Sequence, residues 1–248
     1  MDGQLAELLT NYGEIGGIWF DGWWDRKDQD WRLDQTYKLI HDLQPQCLVG
    51  NNHHRAPKPG EDFQMFEKDL PGHNTAGFNK DSRVGDLPLE TCETMNNSWG
   101  FNLRDKSYKS SADLIRYLVR SAGYDANFLL NVGPMPNGEI QQEFIDTLKV
   151  VGKWMEKYGE TIYGTRGGPV PPHDWGVTTY KDNVVYIHIL DWQDDAILIP
   201  DVGFKIDEVV LFESKKKLEF DQGEFGTVIS LPEEREGVPD LVVEVRVK

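Results

Sequence analysis

The residue from which chemistry is most readily built is Asp21. It stands in Gly16-Gly17-Ile18-Trp19-Phe20-Asp21-Gly22-Trp23-Trp24-Asp25, where Ile15, Ile18 and Phe20 read as a short buried strand that Asp21-Gly22 breaks. A strand-end carboxylate walled by tryptophans suits the stabilisation of a positively charged, sugar-like transition state. Aromatic faces hold the apolar faces of a sugar, and the carboxylate supplies the nucleophile or counter-charge. The plainer role for such an aspartate is to start the following turn. Sugar chemistry needs a second carboxylate, about 5–5.5 Å away in a retaining enzyme. Glu67, Glu90 and Glu93 are the candidates. Glu67 lies beside Phe63, Met65 and Phe66, apolar neighbours that favour a protonated, proton-donating carboxyl. Glu90 and Glu93 fall in one predicted strand with their relative facing open, and for each glutamate a solvated surface position is the commoner fate.

The burst Asn51-Asn52-His53-His54-Arg55 follows another short apolar run, and in it His53 and His54 with Arg55 offer groups for hydroxyls, a carboxylate or a metal. The histidine pair has no His-x-x-x-His or similar partner, so no metal is expected. Neighbours on an extended segment point oppositely, so at most one of His53 and His54 faces a pocket. Trp99, after Ser98, is either a stacking wall or core.

Positioning these residues requires alternating strands and helices. Leu5, Leu8 and Leu9 mark the end of an amphipathic helix, and Leu33, Tyr37, Ile40 and Leu43 a second one that Pro45 stops. Residues 47–50 read as a strand. From Asn51 to about Leu87 no helix is legible, and this stretch, Glu67 included, is expected to be a long loop, functional or disordered. Residues 89–95 form a third predicted strand. A helix is expected from Ser110 or Ser111, with Asp113 in its first turn, to Gly123, then a strand over 128–132 and a helix over 139–158. This alternation predicts a parallel sheet with crossover helices and an active site at the strands' C-terminal ends. A whole barrel needs eight strands and this reading finds four before Gly164, so residues 1–165 are expected to be the second half of a (β/α)8-type barrel, a partial catalytic domain. After Gly167-Gly168-Pro169-Val170-Pro171-Pro172 the pattern turns to apolar alternation, which predicts a small antiparallel β-sandwich over 170–248.

Composition sets outer limits. The 248 residues are 39% hydrophobic and 11% aromatic, ample for a packed core. No apolar run approaches the roughly 18 residues of a membrane span, and Met1-Asp2-Gly3-Gln4 lacks the features of a signal peptide. Cys47 and Cys92 have neither metal nor disulfide-framework spacing. A net charge of −16 argues against nucleic acid as a partner and reads as solubility.

Taken together, these residues resemble the α-L-fucosidases of glycoside hydrolase family twenty-nine. The resemblance is carried by Ile18-Trp19-Phe20-Asp21-Gly22, by Glu90-Thr91-Cys92 followed by Ser98-Trp99-Gly100-Phe101, and by Asn127-Phe128-Leu129-Leu130-Asn131-Val132-Gly133-Pro134 with Asn137-Gly138. It continues through Val151-Gly152-Lys153-Trp154 and Gly159-Glu160-Thr161-Ile162-Tyr163, in family order over roughly residues 1–165. It implies a retaining enzyme that removes α-linked L-fucose from oligosaccharides or glycoconjugates without a metal or organic cofactor. Asp21 matches the nucleophile motif. Glu67 falls where several members place the acid/base, although the usual Thr-Pro-Glu context is Met65-Phe66-Glu67 here, and Glu90 matches a position proposed in others. Trp19, His53, Arg55 and Trp99 are the expected substrate-binding residues. The resemblance also implies a periplasmic or extracellular full-length enzyme. The histidines with which the family's first barrel half grips fucose have no match here, so an incomplete pocket with open sheet edges is expected, with inactivity of the isolated chain as one consequence. The competing readings are a non-catalytic carbohydrate-binding protein and a retaining barrel glycosidase for another sugar.

Overall fold

Helix α1 (Asp2–Asn11) buries Leu5 and Leu9 and leaves Leu8 in solvent, as expected of one apolar stripe. In the computed structural model, which describes residues 1–192, 194–232 and 237–248, that stripe packs with α2 (Leu33–Leu43) over strands β1 (Gly17–Phe20) and β2 (Leu48–Asn51). The shared core holds Leu5, Leu9, Tyr37, Ile40, Cys47 and Val49. Pro45 cannot continue α2, and Gln44 leaves the helix in an extended conformation with its N–H still on the Ile40 carbonyl. β1 and β2 run parallel, with Gly17 opposite Leu48 and Phe20 opposite Asn51. Equal ends follow: Asp21 and Asn52 are the next residues on adjacent strands, and the Asn52 N–H bonds the Phe20 carbonyl at 2.9 Å.

The expected loop after Asn51 contains a strand. β3 (Gln64–Glu67) is buried at all four positions and pairs parallel with β4 (Leu89–Thr94), placing Glu67 opposite Cys92. A parallel bridge between Gly50 and Phe63 joins β2 to this sheet. A Cβ at Gly50 would lie 2.2 Å from the Phe63 ring, so only glycine permits the approach. The sheet's third strand is β5 (Ala126–Asn131), in the order β3-β4-β5. Among the described residues, five strands thus precede Gly164 rather than four.

The chain divides into two compact units, Met1–Glu93 with Asn127–Leu129, and Thr94–Ala126 with Leu130–Lys248. In the second, α3 (Ser111–Gly123) starts as expected: the Ser110 hydroxyl accepts the Asp113 N–H at 3.1 Å. α4 (Gln142–Tyr158) follows, then β6 (Arg166–Gly167), β7 (Gly176–Lys181), β8 (Val184–Ile189), β9 (Ala196–Pro200), β10 (Ile206–Leu211), β11 (Phe220–Gly223), β12 (Gly226–Ser230) and β13 (Leu241–Val247). They form two antiparallel sheets, β10-β13-β8-β7-β6 and β11-β12-β9. One core cluster draws Ile187 and Val243 from the larger sheet and Ile197, Ile199 and Ile229 from the smaller. A second packs Ile115, Val119, Trp154 and Tyr158 of the helices on Val177, Tyr186 and Val242 of the larger sheet. That sheet is covered on both faces, which is why β8 is nearly continuously buried, whereas β9 alternates.

The alternation in β9 and β12 predicts a sharp contrast. Ile229 is fully buried and Leu198 is 57% exposed. Ile229→Ala should cost about 2–5 kcal/mol in urea unfolding, and Leu198→Ala should stay within about 0.5 kcal/mol. Equal losses would contradict the facing of these strands.

Candidate active site

Both carboxylates singled out first meet one amide. Asn52 Nδ2 donates to Asp21 Oδ1 at 3.2 Å and to Glu67 Oε2 at 2.9 Å. In this orientation the amide donates to both side chains; the reverse would set its oxygen against the Asp21 carboxylate. Asn52 is 2% exposed, and its own Oδ1 is buried without a hydrogen-bond partner among the described residues. Because both carboxylate oxygens lie on one nitrogen, their separation cannot exceed these two bonds laid end to end. The two carboxyl groups are thus near neighbours, as the paired carboxyl groups of a retaining glycosidase must be.

Glu67 is the last residue of β3 rather than part of a loop, and its backbone is clamped. The Glu67 N–H donates to Asn79 Oδ1 at 3.2 Å, and Asn79 Nδ2 donates to the Glu67 carbonyl at 3.0 Å. Buried Asp69 ties down the loop that delivers Asn79, accepting the Thr75 and Ala76 N–H groups at 2.8 and 3.0 Å. His54 and Lys68 both adopt left-handed backbone conformations, with φ of 57° and 55°. For residues with side chains these are strained positions of the kind that cluster at functional sites.

The two histidines separate. His53 Nδ1 accepts the Arg55 N–H at 3.1 Å, so Nε2 carries the proton and donates to Glu61 at 3.0 Å. The Tyr37 hydroxyl donates to the same carboxylate at 2.9 Å, and the whole group is buried. His53 is therefore core and is not brought to Asp21, against its expected role in substrate binding: both ring nitrogens already have protein partners. His54 takes the other direction, with Nε2 3.4 Å from Glu67 Oε2 and its ring between Trp24 and Phe78. Burial holds the His54 imidazole below its ordinary value despite the opposing pull of Glu67, and this favours the neutral ring.

Glu90 occupies a third position in the same unit. Trp19 Nε1 donates to its Oε1 at 3.0 Å and Asn127 Nδ2 to its Oε2 at 2.8 Å. Glu93, three residues on, lies on the opposite face of β4 and is buried. The Arg55 guanidinium sits over the Trp23 ring, 4.1 Å from its centroid. Trp99 belongs to the second unit, where it is partly exposed and its carbonyl accepts Asn131 Nδ2 at 2.7 Å. Asn52, Asn79 and Asn127 are given no role by the sequence reading; only strand register shows what they hold. Among the described residues no group of three or more His, Cys, Asp or Glu side chains could hold a metal ion.

Asp21, Glu67 and Glu90 are thus held by side-chain amides and an indole. The family profile described as "Alpha-L-fucosidase" matches residues 1–160, and the chain belongs to that family. It is 28% identical over 209 residues to tissue alpha-L-fucosidase of Rattus norvegicus, covering 79% of this chain and 42% of that protein. The alpha-L-fucosidase isoenzyme 1 structure from Paenibacillus thiaminolyticus matches with a TM-score of 0.81 at 32% identity, over 100% of this chain and 61% of that one. The Thermotoga maritima alpha-fucosidase in complex with a mechanism-based inhibitor matches with a TM-score of 0.74 at 25% identity, over 99% and 55% of the two chains. The chain thus spans less than half the length of the rat enzyme.

Cys92, opposite Glu67, offers a check on the site's interior. Burial first, then Glu67 and Glu90, push its thiol up to about 12, and burial raises Cys47 as well. Neither thiol should react with Ellman's reagent in the folded protein at about pH 8, and both should react after unfolding. Rapid modification of Cys92 in the native state would contradict this packing.

Proposed function

We propose that this chain carries the catalytic carboxylates of a retaining α-L-fucosidase acting on fucosylated oligosaccharides or glycoconjugates. The observation that supports the reading is the shared Asn52 amide, which bonds both Asp21 and Glu67. Asp21 attacks the anomeric carbon of fucose while Glu67 gives its proton to the departing glycosidic oxygen. The bond to the aglycone breaks as the glycosyl-aspartate ester forms. Glu67, now ionised, takes a proton from water, whose oxygen attacks the same carbon and frees Asp21. Two displacements return the original anomeric configuration, and the sequence of steps uses no metal or organic cofactor.

Glu67 is the preferred acid/base because it shares the amide with Asp21, while Glu90, held by Trp19 and Asn127, is the second choice. Trp19 and Arg55 are assigned to the walls of the sugar site. The parallel register of β1 with β2 and of β3 with β4 supports reading residues 1–165 as part of a (β/α)8 barrel, with 170–248 as an accessory β-sandwich.

The test is hydrolysis of an aryl α-L-fucoside, beside the α- and β-galactosides, by the chain and its variants. Selective α-fucoside turnover is expected, with Asp21→Gly lowering it by about 10^3-fold or more because no ester can form. Glu67→Ala should slow natural glycans more than aryl fucosides, by about 10^2–10^4-fold, since a good leaving group needs less protonation. Activity that survives in Asp21→Gly, or faster turnover of a galactoside than of the α-fucoside, would contradict the proposal, whereas no turnover from a folded sample would agree with the expected incomplete pocket.

A further inference from the structure

The hollow beside Asp21 shares a wall with a second, larger groove. The hollow is about 360 Å³ and is lined by Phe20, Asp21, Trp23, Trp31, Leu33 and Asn51, among others. The groove beyond it encloses about 890 Å³, partly open to solvent, within the range of small-molecule sites. The two share Trp23, Trp31 and Leu33 as a common wall.

The charge of this groove runs against that of the chain. Acidic residues outnumber basic ones by 42 to 26 overall, yet Lys27, Arg32, Arg55 and Lys58 line the groove against Asp30 and Asp34. Asp30 already accepts the Arg32 N–H at 3.0 Å, which fixes the turn. Arg55 is held over Trp23, while the Lys27 and Lys58 ammonium groups carry no ion pair among the described residues. Cations beside indole faces bind a ring that carries an anionic substituent: the indoles take the apolar ring face and the cations the charge. A chain of net charge −16 disfavours a polyanion, and a singly charged ligand avoids that cost.

We propose that this groove binds an acidic saccharide unit, bearing a carboxylate or a sulfate ester, of the glycan whose fucose meets Asp21. The inference rests on the fucosidase reading for the identity of that glycan, and on the groove's own residues for the acidic unit.

The experiment follows the nitrogen-15 indole signals of Trp23 and Trp31 in the full chain during titration with 3′-sialyllactose, galactose 6-sulfate and neutral lactose. None contains fucose, so binding is read whether or not the chain hydrolyses fucosides. The acidic probes should bind saturably, at least about tenfold tighter than lactose, and weaken as salt rises. The better acidic probe identifies the anion. Lys27→Ala/Lys58→Ala should weaken the acidic probes at least about fivefold and leave lactose unchanged, and Lys27→Arg/Lys58→Arg should restore binding. Lys27 is exposed and Lys58 half-buried, and fucoside turnover should be unaltered in both variants. Equal binding of acidic and neutral sugars, no binding of any, or an Ala variant that binds like the parent would overturn the groove's assignment and leave the Asp21 reading to its own test.

Discussion

One side-chain amide, that of Asn52, holds hydrogen bonds to both Asp21 and Glu67, and the geometry of the site depends on it. A hydrogen bond contributes about 0.5–1.5 kcal/mol net, and about 1.5–3 kcal/mol when one partner is charged. Two bonds from one nitrogen therefore tie the side chains of Asp21 and Glu67 together. The amide is placed by the parallel register of β1 and β2, which brings Asp21 and Asn52 to the same level. That register rests on the core of Leu5, Leu9, Tyr37, Ile40 and Val49, and the close approach of Gly50 to Phe63 carries it to β3, where Glu67 ends the strand.

Much of this was legible in the chain, for identifiable reasons. The α3 start was readable because Ser110 and Asp113 have the cap spacing, and the end of α2 because Pro45 cannot extend a helix. β3 was not. Gln64-Met65-Phe66-Glu67 is buried at every position, so it has no two-residue period, and it sits among Pro, Gly and Asp residues that read as loop. β11 escaped for the opposite reason, since all four of its residues are exposed and no apolar face marks them.

The site divides in the same way. Asp21 stood out because its tryptophan neighbours are local in sequence. Asn52 did not, because its importance appears only when two strands are set side by side. Alternation along the chain limited the pocket to one of His53 and His54, but the choice required Glu61 and Tyr37, remote partners that claim His53 for the core. The opposed faces of Glu90 and Glu93 likewise follow once β4 has a fixed register, and Glu90 then meets Trp19 and Asn127.

The most direct measurement of the central claim is the configuration of the first sugar released, followed by proton NMR before mutarotation sets in. Double displacement by the carboxylate pair that Asn52 joins predicts that α-L-fucose appears first and the β anomer only later. Initial release of β-L-fucose would mean a single displacement by water, and would contradict both the nucleophile role of Asp21 and the spacing on which it rests.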